Sequence, residues 1–167
     1  MGSVIAHGWV HQINVSRGGV PKLPVVSAIV TAEGLLGDYH NDLRSHGGPL
    51  RAVCLYTLEQ IERLAAEGHP IYPGATGENV TLRGIPLELL TPGARVRIGS
   101  GTLLEITRYA TPCETIAGAF NTGDFTRIAH KPHPGESRMY ACVTQGGEIR
   151  AGDEVMAWMA DEGEVEV

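Results

Sequence analysis

A mainly β fold with a few helices, of the barrel or sandwich kind, is what this sequence predicts, and three observations carry the prediction. Eight short segments rich in β-branched residues recur along the chain, each bounded by turn residues. The 22 glycines and 10 prolines are spread between those segments rather than gathered into one linker, so no domain boundary is visible. Only one stretch carries a clear helical period. Many short strands with turns between them fit a barrel or sandwich better than a doubly wound sheet.

The expected strands are Trp9–Val15, Val25–Val30, Val53–Tyr56, Asn79–Leu82, Arg95–Ile98, Leu103–Thr107, Met139–Val143 and Glu154–Met159. The expected helix follows Thr57, which with Gln60 three residues on reads as a capping box. Leu58, Ile61, Leu64 and Ala65 fall on one face of it, and Gly68 supplies a left-handed stop. Glu59, Glu62, Arg63 and Glu67 then form its solvated face. Shorter helices are expected from Cys113 to Phe120 and from Phe125 to Ala129.

At 167 residues the chain suits one domain, 1–167, large enough for a core without staples. Its 43% hydrophobic and 19% charged content is that of a folded chain rather than a disordered one. A formal net charge of −6 gives no overall basic field, which argues against nucleic acid and means that an anionic ligand needs a local cluster of cations. No apolar run is long enough to span a bilayer, and Met1–His11 has no signal-peptide pattern, so no membrane role is expected. The three cysteines are odd in number and form no Cys-x-x-Cys pair, which argues against a disulfide framework and a zinc ribbon and makes the reducing cytoplasm the expected compartment.

Cys54 in AVCLY and Cys142 in YACVT lie in apolar β-like runs, where burial is the expected fate of a free thiol. Cys113 differs: Pro112 precedes it and a turn surrounds it, at the mouth of a short helix. A helix N-terminus or a neighbouring cation such as Arg108 favours the thiolate, and Glu114 opposes it. The residues themselves leave two readings open, a reactive thiol and a small buried hydrophobe.

Several polar clusters are candidates for binding. The run from Gly37 to Val53 holds Asp38, His40, Asp42 and His46, which can be drawn as a metal site although their spacing is not diagnostic. Gly47-Gly48 in the same run lets backbone N–H groups converge on an anion, with Arg44 and Arg51 flanking it. A plain polar loop with a glycine turn is the simpler account. Gly77-Glu78-Asn79 forms a second glycine turn, where Asn79 offers both a donor and an acceptor to a heterocycle or simply closes the turn. Arg17-Gly18-Gly19 ahead of Pro21-Lys22 is a hairpin tip or a cationic ligand contact. His130 and His133 sit among prolines, a poor setting for a helical metal pair.

Taken in order, Gly19-Val20-Pro21-Lys22, Gly37-Asp38, His46-Gly47-Gly48-Pro49, Arg51-Ala52-Val53, Gly77-Glu78-Asn79, Pro112-Cys113 and Gly152-Asp153 resemble the MOSC domain, named for the C-terminal domain of molybdenum-cofactor sulfurase. The chain looks like a small stand-alone bacterial member. The resemblance implies a MOSC-type β-barrel and a site for molybdenum cofactor, a phosphorylated pterin dithiolene. It implies that Cys113 is the sulfur residue of the site, as metal ligand or as persulfide. By the same resemblance His46, Gly47, Gly48, Arg51, Gly77, Glu78, Asn79 and Arg108 are the cofactor-binding candidates. Two activities follow: reduction of N-hydroxylated or N-oxide-type small molecules with an external electron donor, or sulfur carriage as a Cys113 persulfide supplied by a cysteine desulfurase. The family's association with pyridoxal phosphate is not expected to extend to this chain, because its two lysines, Lys22 and Lys131, each lie beside proline in no recognisable aldimine context.

Overall fold

The computed structural model describes residues 5–39 and 48–159. Eleven strands are present among them: β1 (Ile5–Val15), β2 (Leu23–Val25), β3 (Ser27–Thr31), β4 (Gly34–Leu35), β5 (Val53–Thr57), β6 (Val80–Arg83), β7 (Ala94–Ile98), β8 (Thr102–Tyr109), β9 (Met139–Gln145), β10 (Gly147–Arg150) and β11 (Glu154–Met159). Helix α1 spans Leu58–Ala66. Seven strands close into a barrel in the order β1-β11-β7-β8-β9-β5-β6, with β2 added at the edge of β1. Closure comes from β1 against β11, antiparallel, with Ile5 opposite Trp158 and Trp9 opposite Glu154. The one parallel pair of the barrel is β5 with β6, and α1 lies in the connection between them, as a parallel crossover requires. β10, β3 and β4 form a separate small sheet.

Alternation along the strands builds the interior. Val96 and Ile98 of β7, Leu104 and Ile106 of β8, and Val155 and Ala157 of β11 all point inward and are buried. A second apolar cluster forms outside the barrel, where Tyr56, Ile61 and Leu64 meet Ile71, Ile116, Phe120 and Ile128. That second core seats the Glu114–Ala119 segment and so fixes where Cys113 sits.

Seven of the eight expected strands are present, most extending a residue or more beyond the expected limits, while Val25–Val30 is broken at Val26, with Val25 ending β2 and Ser27 opening β3. The short β2, β4 and β10 are additional; with two to four residues each, they offer too little period to be read from sequence. The helix starts where the sequence places it, with the Thr57 hydroxyl accepting from the Gln60 N–H at 3.3 Å. Its face differs in one respect: Gln60 is buried and Ala65 exposed, because the Gln60 amide donates to Glu136 Oε1 at 3.1 Å. The two expected shorter helices are 3-10 helices, Glu114–Ala119 and Phe125–Ile128. Glu59 and Glu67 are not merely solvated: one accepts from the Gly84 N–H, and the other is gripped by Arg127.

Candidate functional site

Cys113 stands at the entrance of the Glu114–Ala119 helix in an extended conformation, φ −141° and ψ 175°. Pro112 before it is buried and anchors the bend. The thiol is half-buried, and its sulfur lies 2.9 Å from the Thr115 hydroxyl. Cys54 is buried, as expected, and burial pushes its thiol up to about 11, with Arg138 and Lys22 pulling down and Glu78 and Asp38 pushing up. It is therefore a neutral group at physiological pH. Cys142 is half-buried rather than enclosed, because β9 is wrapped less completely after Ala141.

Cys54 packs with Ala110 and Tyr140 in a small buried cluster. Burial raises the Tyr140 phenol to about 12, as does a Cys54 thiolate; Arg138 and Arg51 pull the other way, and Cys113 adds to the rise. Both thiols and both arginines are thus within electrostatic reach of one phenol. Arg138, at 4% exposure, donates from Nη1 to the Thr76 carbonyl at 2.7 Å, while its Nε has no hydrogen-bond partner among the described residues. Lys22 pairs with Asp38 at 2.6 Å, side chains 7% and 2% exposed.

The glycine turn is the frame on which this cluster rests. The Glu78 carboxylate accepts from the Gly74 N–H at 2.9 Å and from the hydroxyls of Thr76 at 2.7 Å and Thr81 at 3.0 Å. Asn79 accepts from the Cys54 N–H at 2.9 Å and donates to Asp38 at 2.8 Å. Both side chains are buried with their polar atoms already engaged by protein groups. Gly77 has φ +78°, and a Cβ there would lie 2.8 Å from Val20, so only glycine lets the Val20–Lys22 loop close on the turn.

The remaining candidates are placed as follows. Arg51 is half-buried at the end of the Pro49–Arg51 turn, and its charge opposes the rise that burial gives the Tyr140 phenol. Gly48 opens that turn, exposed and with φ +83°. Arg108 is exposed on β8, opposite Tyr140 in register. His46 and Gly47 lie outside the described residues, as do His40, Asp42 and Arg44. His130 is stacked on Tyr109 at 3.6 Å and accepts from the Gly135 N–H. Among the described residues no cluster of three or more histidine, cysteine or acidic side chains is arranged to hold a metal. No helix there is long and apolar enough to cross a membrane. Sequence reasoning missed Arg138, Tyr140 and Thr115. For Arg138 a signal existed, a lone cation at the head of the apolar run MYACV.

A brace holds the Cys113 segment from behind. Arg127 contacts Glu67 at 2.8 Å and Glu136 at 3.0 Å, and the Asn121 N–H donates to His69 Nδ1 at 3.0 Å. Arg127, through its hydrogen bond above all, holds the Glu67 carboxyl below its ordinary value. Burial opposes ionisation of Glu136, but the Gln60 hydrogen bond and Arg127 outweigh it and lower that carboxyl too. Both groups ionise more readily folded than unfolded, so their contribution is present above the ordinary carboxylate value of 4.5 and is lost as pH falls below it. The urea midpoint is expected to drop between about pH 5 and pH 3, and to drop less in Arg127→Met. Parallel pH profiles for the two proteins would count against the brace.

The sequence model of the MOSC domain matches residues 42–156. The chain belongs to the MOSC domain family. It is 28% identical over 138 residues to the uncharacterized protein YflK of Bacillus subtilis, an alignment covering 80% of this chain and 60% of that protein. The chain thus spans about three-fifths of that relative's length. Among solved structures, the YUAD protein of Bacillus subtilis superimposes with a TM-score of 0.72 at 17% identity, covering 95% of this chain and all of the other. YiiM of Escherichia coli gives 0.68 at 22%, covering 96% and 73%, and YiiM of Geobacillus stearothermophilus gives 0.67 at 23%, covering 93% and 76%. At these identities the likeness is one of fold.

Proposed function

We propose that this MOSC protein binds molybdenum cofactor with the Cys113 sulfur on the metal and reduces N-hydroxylated or N-oxide-type small molecules. The observation that carries the reading is Cys113 itself. Its thiol is half-exposed, and its charge acts on Tyr140 together with those of Arg51 and Arg138, while Lys22 pairs with Asp38 and Glu78 is held in the glycine turn.

The residues fit an anionic, metal-bearing pterin. A buried guanidinium nitrogen without an acceptor is costly unless a ligand completes it, and Arg138 Nε is such an atom. Arg51 and Arg138 would take the anionic end, because a guanidinium suits phosphate. A thiolate is a fitting ligand for a soft metal. When bound, the cofactor supplies a two-electron couple at its metal. The chain's own part is to present the sulfur, hold the anionic end and line the approach. Overall, the substrate's N–O oxygen leaves as water, with two protons from solvent and two electrons from an external donor protein.

The test is molybdenum and pterin content after expression in a cofactor-producing host. Stoichiometric metal in the wild type and none in a folded Cys113→Ala variant is the expected outcome. No metal in either protein, together with an added sulfur mass on the Cys113 peptide after incubation with a cysteine desulfurase, would replace this reading by the sulfur-carrier one.

A further inference from the structure

A cleft of about 170 Å³ borders the Glu114–Ala119 helix that Cys113 opens. Val20, Pro21, Tyr72, Ala75, Thr115 and Ile116 are among the residues that line it. None of its lining residues carries a formal charge at neutral pH. Thr115 connects it to the chemistry, since this lining residue's hydroxyl lies 2.9 Å from the Cys113 sulfur. The charges are segregated to the other side of the same loop: Val20 and Pro21 face the cleft, while Lys22 turns inward to Asp38.

We propose that this cleft is a substrate subsite that takes one uncharged ring and holds the group it carries close to where the Cys113 sulfur stands, with Thr115 as the positioning hydroxyl at the junction. The inference rests on the reading of Cys113 as the site's sulfur. Size supports a single ring, because an apolar cavity of about 150 Å³ holds one benzene. Chemistry supports neutrality, because a charged ring would give up its hydration for a lining that offers it one hydroxyl and one phenol. Tyr72, 51% exposed, presents an aromatic face at the lip, and Pro21 a flat aliphatic one.

The experiment compares two alkylating probes on the cofactor-free protein, iodoacetamide and N-benzyl-iodoacetamide, with Cys113 modification followed by peptide mass. The ring-bearing probe is expected to react with saturable kinetics and about tenfold faster at low concentration than its intrinsic reactivity explains. Gly118→Leu provides the filled cleft: Gly118 borders it, and a Cβ added there meets no atom within 4 Å, so the fold tolerates the change. That variant should lose the saturation and the rate advantage while reacting with iodoacetamide as the wild type does. Equal, unsaturable rates for both probes in the wild type overturn the subsite and leave Cys113 as a reachable sulfur. Failure of either probe to modify Cys113 overturns the reading of that sulfur and the subsite with it. A Thr115→Val variant that keeps the ring preference and the pH profile of alkylation unchanged removes Thr115 from the proposal.

Discussion

Replacing Asp38 with alanine is expected to cost about 3–5 kcal/mol, since it strands the Lys22 ammonium in the interior. The pair is 2.6 Å apart, with side chains 7% and 2% exposed, so water cannot take the carboxylate's place without opening the site. Asp38 also accepts from the Ser16 N–H at 2.9 Å and from Asn79 at 2.8 Å, which ties the strand end of β1, the glycine turn and the Lys22 loop to one side chain. Equilibrium urea unfolding measures the loss. Adding Lys22→Met to Asp38→Ala should recover most of it, because the desolvated charge is then gone, while the Ser16 and Asn79 donors account for the remainder. A loss below about 1 kcal/mol for the single variant would place the pair among ordinary surface contacts and contradict its burial.

Glu78→Ala is expected to cost about 3 kcal/mol or more, at roughly 1–3 kcal/mol for each buried donor left without an acceptor. The three donors are the Gly74 N–H and the hydroxyls of Thr76 and Thr81. The hydroxyls can turn elsewhere; the backbone N–H cannot. Glu78→Gln keeps one oxygen but sets an NH₂ group against donors, so an intermediate loss is expected. Thermal unfolding of the three proteins should rank wild type above Gln above Ala. An alanine variant as stable as the wild type would mean that the turn does not depend on this carboxylate.

These two positions show what was legible in the sequence and what was not. The order of motifs pointed to the family correctly, and Cys54, in its apolar run, is buried as its neighbours predict. Strands such as β7 and β11 were readable because burial of one face writes itself into the pattern. What could not be read was the direction in which a polar side chain in a glycine turn points. Glu78 and Asn79 look alike as ligand contacts or as frame, and the structure engages both within the protein. Arg138 was missed for the opposite reason. A cation at a strand start is ordinarily a solvated end, and its burial depends on the Thr76 carbonyl arriving from 62 residues away. Thr115 needed the spatial neighbour of a thiol two positions earlier, which only the bend at Pro112 creates.

The closure of the barrel by β1 and β11 has a consequence for synthesis. The strands that seal it come from opposite extremes of the described chain, with Ile5 opposite Trp158. A nascent polypeptide stopped short of Glu154 leaves β1 and β7 each with a free ladder of N–H and C=O groups. Such half-made barrels are templates for sticking to one another, so the interval before β11 emerges from the ribosome is when this protein is most prone to aggregate.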